Sequence, residues 1–253
     1  MFEIATLCIF AFFAGFVDSI AGGGGLIQLP AILSFMPTLS VPTAIGINKF
    51  SGFIGTSTAA FQYSKNIKIN WKIIFPAIVS ALIFSLLGAM FVVYFNKEIL
   101  KPFVFGMLIL VFVYTIISKN FGRKAKNIPK FPKILWISWF TGMGMGFYDG
   151  FFGPATGSFL ILIFISVFGF DFMQSAAYAK IINAFTNLSA LIFFIFSGTI
   201  IYKIAVPMAI FNMTGSYFGS KMAIEKGNNF IRTFYISVVS ILILKFGYEI
   251  FFN

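Results

Sequence analysis

Two stretches decide how this chain folds: Asp18-Ser19-Ile20-Ala21-Gly22-Gly23-Gly24-Gly25 and Asp149-Gly150-Phe151-Phe152-Gly153-Pro154-Ala155-Thr156-Gly157. Each begins with a carboxylate, runs into small or helix-breaking residues, and is flanked on both sides by apolar sequence. The two carboxylates are 131 positions apart, and the same offset holds without a gap from Gly15 to Gly88. Gly15, Phe16 and Asp18 match Gly146, Phe147 and Asp149; Gly22 matches Gly153; Lys49 matches Lys180; Lys72 and Pro76 match Lys203 and Pro207; Gly88 matches Gly219. Matching Ile or Phe carries no weight in so apolar a chain. Rare charged residues, prolines and glycines at one offset mark an internal duplication.

Composition identifies the solvent. Of 253 residues, 59% are hydrophobic and only 10% charged, whereas a soluble domain carries about 25% charged residues. Uncharged apolar runs such as 73–95 and 102–118 approach the roughly 20 residues needed to cross the hydrocarbon of a bilayer. The formal charge of +11 sits in short loops between apolar segments. There it reports topology and contact with anionic lipid, and no basic surface for nucleic acid is expected. With no histidine and seven carboxylates, neither a His-based triad nor a metal cluster is expected, and no cofactor. The opening apolar run lacks a basic n-region and recurs mid-chain, which argues against a cleaved signal peptide.

Each copy reads as five helical segments: 3–20, 24–37, 41–64, 71–95 and 101–118, then 134–150, 154–169, 172–197, 203–223 and 231–252. Ser40 with Pro42 just inside, and Asp171 with Gln174 three residues on, are helix-start patterns, and Pro154 suits a first helical turn. The first two segments of each copy are either one long bent crossing or a hairpin that enters and returns. Counting basic residues separates the two. A hairpin makes the copies inverted and gathers Lys65, Lys68, Lys72, Lys119, Arg123, Lys124, Lys126, Lys130, Lys133, Lys221, Lys226 and Arg232 on one side. Only Lys97, Lys101 and Lys203 then lie opposite, twelve against three. A single crossing gives ten against five. The expected fold is therefore an all-α integral membrane protein of two inverted repeats, 1–118 and 134–253. The first pair of segments in each forms a glycine-broken hairpin, a basic cytoplasmic linker spans 119–133, and both termini lie outside.

Inverted repeats with interrupted helices are the mark of secondary transporters, whose sites lie near the midplane where half-helix ends meet. Gly22, Gly23, Gly24 and Gly25, with Gly153, Ala155, Thr156 and Gly157, are candidates because small residues allow close approach to backbone and free amides opening a helix favour an anion. The same small residues could simply permit tight helix contact in lipid. Lys49 and Lys180 each stand nine residues beyond a helix start, about 13 Å at 1.5 Å per residue, near the middle of a core about 30 Å thick. They are candidate anion ligands; the alternative is a structural lysine that either snorkels or is salt-bridged, with Asp18 and Asp149 as candidate partners. Asn48 and Asn183 adjoin them, as do Ser51, Thr56, Ser57, Thr186, Asn187 and Ser189, with Gln28 in the same polar class. Asp18 and Asp149 could carry a coupling proton or cation, or could cap the breaks.

Gly15-Phe16-Val17-Asp18 followed by the glycine run, then Ala44-Ile45-Gly46 ahead of Lys49, repeated from Gly146 to Gly153 and from Ala176 to Lys180, resembles the TauE/SafE sulfite exporter family. The likeness covers nearly the whole chain, with Pro154-Ala155-Thr156 standing where glycines stand in the first copy. It implies a permease of the bacterial or archaeal-type inner membrane that moves sulfite or a related small organosulfur compound or oxyanion. The leading expectation is an anion carrier working by alternating access, not an enzyme. A passive anion channel is the alternative, an intramembrane enzyme a weaker one. Expected partners are a small anionic substrate, membrane lipid and a coupling proton or cation; oligomeric state is not legible.

Overall fold

The computed structural model describes residues 2–91 and 132–251, together with Ile109 and Gly122. Every element among them is helical: α1 (Phe2–Ala21), α2 (Gly25–Phe35), α3 (Val41–Asn66), α4 (Trp71–Phe91), α5 (Lys133–Phe151), α6 (Thr156–Ser166), α7 (Phe172–Phe196) and α8 (Tyr202–Phe251). Three of these, α1, α4 and α7, are long and apolar enough to cross a bilayer by length and composition alone. The expected segment 101–118 apart from Ile109, most of the linker, and Lys97 and Lys101 lie outside the described residues.

Helix starts follow local chemistry. Ser40 Oγ accepts from the Thr43 amide with Pro42 in the first turn, and Asp171 Oδ1 accepts from the Gln174 amide at 2.8 Å. Only that half of the Asp171–Gln174 box forms, since Gln174 Oε1 has no partner. Two expectations need adjustment. Pro154 precedes its helix and does not open it, because Ala155 takes a left-handed conformation and α6 begins at Thr156. The expected gap at 224–230 narrows to Gly227, whose φ of 74° breaks an otherwise continuous α8.

Contacts fix the directions of the helices. Phe10 meets Phe35 while Gly24 lies against Ala14 and Asp18, so α2 folds back along α1. Tyr148 likewise packs on Phe159 and donates to the Pro154 carbonyl, so α6 folds back along α5. Gly46 faces Phe194 and Gly52 faces Asn187, which makes α3 and α7 antiparallel. Other pairs run parallel: α8 beside α3, through Phe50–Tyr202, Gly55–Asn212 and Gln62–Tyr217; and α5 beside α4, through Gly142–Ala77, Gly146–Ala81 and Gly150–Ser85. It follows that Lys65, Lys72, Lys133 and Lys226 stand at one end of the bundle and Lys203 at the other.

In lipid no hydrophobic effect presses helices together, so dispersion contact between close backbones must do so. Small residues make that contact. A methyl group on Gly142 would strike the Ala77 carbonyl, one on Gly150 the Ser85 carbonyl, and one on Gly88 the Phe147 carbonyl. On the other side of the bundle Gly15 meets the Asn212 carbonyl, Gly215 that of Phe12, and Gly219 that of Phe16, closing α1 onto α8. Gly144 sits between Gly142 and Gly146 in sequence but has no such neighbour and is exposed. Gly150→Leu should therefore prevent α4–α5 docking and abolish a cooperative melt in detergent, whereas Gly144→Ala should melt near the wild-type midpoint. Equal melting of the two variants would contradict this packing.

Candidate functional site

The two hairpin breaks meet each other. Gly22 and Gly153, equivalent in the duplication, both have left-handed backbones, with φ of 76° and 88°, a region open to glycine at little cost. Gly22 abuts the backbone of Gly157 and Ser158, and Gly25 lies against Pro154. Breaking a helix in lipid frees carbonyls that must find donors. Tyr63 Oη donates to the Ser19 carbonyl at 3.0 Å, Ser158 Oγ to that of Ala21 at 2.9 Å, and Tyr148 Oη to that of Pro154 at 2.6 Å. Past the shared glycine the breaks diverge: Ala155 holds φ at 65° without being glycine, a strained position of the kind that clusters at functional sites.

Two ion pairs cross between the breaks and the third helices. Lys49 Nζ on α3 contacts Asp149 Oδ2 on α5 at 2.7 Å and donates to the Asp149 carbonyl at 2.6 Å. Lys180 Nζ on α7 contacts Asp18 Oδ2 on α1 at 2.8 Å. Each lysine thus takes the carboxylate of the opposite copy, and the 131-residue offset converts one pair into the other. The second carboxylate oxygens stay at home: Asp18 Oδ1 accepts from the Gly24 amide opening α2, and Asp149 Oδ1 from Thr156 Oγ1 opening α6. The aspartates therefore do both things a break needs, holding the start of the returning helix and neutralising a lysine that is 2% or less exposed.

Around these pairs lies a cavity of about 40 Å³, lined by Asp18, Asp149 and Lys49, by the opening residues of α2 and α6, and by amide and hydroxyl side chains of α2, α3, α7 and α8. A water needs about 10–15 Å³ of such space, so a few waters or a small anion fit. Gly23, Gly24, Gly25, Asn48, Lys49, Gly153, Ala155, Thr156, Gly157 and Asn183 all reach it, as do both aspartates. Of the expected site residues, Gly22 and Lys180 do not line it: Gly22 is spent on the contact between the breaks, and Lys180 is sealed behind Gly157. Gln28, Gly52, Thr56, Asn187 and Asn212 also line it. Asn212 was invisible to a reading centred on the breaks, because α8 approaches from 184 residues away to donate to Gln28. Its signal was an amide in the apolar first half of α8, just ahead of the Gly215 and Gly219 packing pair.

Broken helical hairpins meeting at a buried polar cavity define the architecture of a membrane transporter. Comparison with known proteins agrees. The family described as "Sulfite exporter TauE/SafE" matches residues 7–246. "Probable membrane transporter protein ORF9" of Sinorhizobium sp is 32% identical over 243 residues, covering 96% of this chain and 91% of that protein. "Probable membrane transporter protein YfcA" of Escherichia coli K12 is 30% identical over 97% of this chain and 90% of that protein. A "Probable membrane transporter protein" of Haemophilus influenzae is 29% identical over 97% of this chain and 95% of its own length. No solved structure matches. The chain belongs to the TauE/SafE sulfite exporter family and is a membrane transporter.

Removing one partner of a buried ion pair costs about 3–5 kcal/mol, because the other charge is left without compensation. Lys180→Met should lower the melting midpoint sharply, and adding Asp18→Asn should restore most of it, since the double variant buries no lone charge. A double variant that melts no higher than Lys180→Met would mean the pair is not what holds α7 to α1.

Proposed function

We propose that this transporter carries a small oxyanion, sulfite or a related organosulfur compound, across the bacterial inner membrane by alternating access. The observation that carries the reading is the small polar cavity between the two hairpin breaks and Lys49. The family's description names sulfite, and the site chemistry suits an anion. The openings of α2 and α6 bring two positive helix-dipole ends to the cavity, and Lys49 has three donors, two of them committed to Asp149. The two lysines and two aspartates sum to zero charge. An anion would therefore be held by aimed dipoles and one shared lysine, an arrangement weak enough to let it leave.

Alternating access would rest on two inverted repeats, 1–118 and 134–253, joined by the basic cytoplasmic linker 119–133. Three observations support this: the folding back of α2 on α1 and of α6 on α5, the antiparallel course of α3 and α7, and the placement of Lys65, Lys72, Lys133 and Lys226 at one end with Lys203 opposite. Rocking one repeat against the other would open the cavity to one side at a time. A coupling proton or cation would act at Asp18 and Asp149, where a change of charge would release both a lysine and the start of a returning helix.

Counterflow in proteoliposomes tests the carrier reading against a channel. Liposomes preloaded with unlabelled sulfite should accumulate labelled sulfite transiently above its external level, which a passive pore does not produce. The same assay on Lys49→Gln should show a loss of rate of about tenfold or more, the equivalent of a lost hydrogen bond to charge at about 1.5–3 kcal/mol. Unchanged counterflow in that variant would remove Lys49 from the anion path. Topology has its own test: a reporter fused after Asn253 should be active only outside the cytoplasm.

A further inference from the structure

Gln28 has an unpaired donor at the cavity. The side chain is 1% exposed, it lines the cavity, and its Nε2 has no hydrogen-bond partner. Its other end is fixed. Oε1 accepts from Asn212 Nδ2 at 2.7 Å and from Ser51 Oγ at 3.4 Å, and Asn212 Oδ1 lies 3.4 Å from Ser216 Oγ. In this network Oε1 takes both contacts, so the atom left over is Nε2, a donor and not an acceptor. A buried amide donor without a partner costs about 1–3 kcal/mol, and such an orphan in a native site calls for a missing acceptor.

The duplication does not supply a second copy of this group. The position equivalent to Gln28 is Phe159, buried in the apolar core, and the position equivalent to Asn48 is Ala179. Lys49 lines the cavity while Lys180, its equivalent, does not. The two halves share the ion-pair frame but differ in what they present to a ligand.

Resting on the anion-carrier reading above, we infer that one contact to the ligand is one-sided: an oxyanion oxygen accepts from Gln28 Nε2 of the first copy, beside Lys49, a donor that has no equivalent in the second copy. Specificity follows from the sign of the orphan. A ligand must offer an unprotonated oxygen to Gln28, so a divalent or monovalent oxyanion fits, and a cation or a neutral donor-only molecule does not. Asn212, on α8 of the second copy, acts as a positioning residue that holds the amide donor-inward. Closing the ligand between the copies would therefore engage the second copy through Asn212 and Gln28, without the ligand touching Lys180.

Isothermal titration of the purified full chain with sodium sulfite, sulfate and thiosulfate tests this. Gln28→Glu keeps the acceptor used by Asn212 and Ser51 but removes the donor, and Gln28→Met keeps the length while removing both. The Glu variant should lose affinity by about tenfold or more, as expected for a hydrogen bond to a charged group, and should melt below the wild type because it buries a carboxylate without a counter-ion. If the Met variant does not fold, the Glu variant alone decides. Phe159→Leu, the matching site in the second copy, should keep wild-type affinity. Wild-type affinity in a folded Gln28→Glu protein would overturn the inference and leave the anion reading standing. Equal losses in Phe159→Leu would overturn one-sidedness, and failure of the wild type to bind any of the three anions would overturn both.

Discussion

Two reciprocal ion pairs, Lys49–Asp149 and Lys180–Asp18, are the constraint on which the rest of this structure depends. A lysine at the centre of a membrane helix costs about 2.5–3.5 kcal/mol on insertion scales and more when isolated in hydrocarbon. The chain carries two, each almost fully buried. Their only acceptable surroundings are a carboxylate and a polar pocket, and the helix breaks supply both. Because each pair joins the first helix of one copy to the third helix of the other, neither copy can neutralise its own lysine. The duplication is thus welded electrostatically, and the weld places the two breaks face to face.

Backbone chemistry then does the rest. Returning helices α2 and α6 begin in the interior, where their opening amides need acceptors and the carbonyls before them need donors. Asp18 answers the first need at α2 by accepting from the Gly24 amide, and the Gly153 carbonyl answers it at α6 by accepting from the Thr156 amide; Tyr63, Tyr148 and Ser158 answer the second. At the cavity the Gln28 amide nitrogen remains without a partner. Close glycine contacts along α4–α5 and α1–α8 hold this arrangement from outside with packing alone. A rigid frame with one undersatisfied polar pocket is the physical form a small-anion site takes in a bilayer, since water is absent elsewhere to compete for the donors.

Much of this was legible in the sequence because lipid makes polar residues expensive and therefore informative. The duplicated lysines, aspartates and glycines stood out against an apolar background, and the helix starts at Ser40 and Asp171 fell where their side-chain acceptors put them. The spacing that placed Lys49 and Lys180 nine residues into their helices could not say which carboxylate each would meet, since pairing is set by how α1, α3, α5 and α7 lie against one another. Sequence showed Pro154-Ala155-Thr156 where the first break has glycines, yet named both breaks and both lysines as site candidates alike. That Lys49 is open to the cavity while Lys180 is sealed behind Gly157 follows from how the helices pack around the breaks, which no periodicity announces. The polar stretch Glu225-Lys226-Gly227-Asn228-Asn229 marked the interruption of α8, but not its brevity: the single left-handed Gly227 makes the whole break, where a gap over 224–230 was expected.

The most direct test of the central claim, that the cavity between the breaks is the anion site, is anomalous diffraction from crystals soaked in selenite. Selenite keeps the shape and charge of sulfite and adds a selenium edge. The account predicts one anomalous peak within hydrogen-bonding reach of Gln28 Nε2, Lys49 Nζ and the opening amides of α2. A peak at any other place in a chain shown to bind selenite in solution would contradict it.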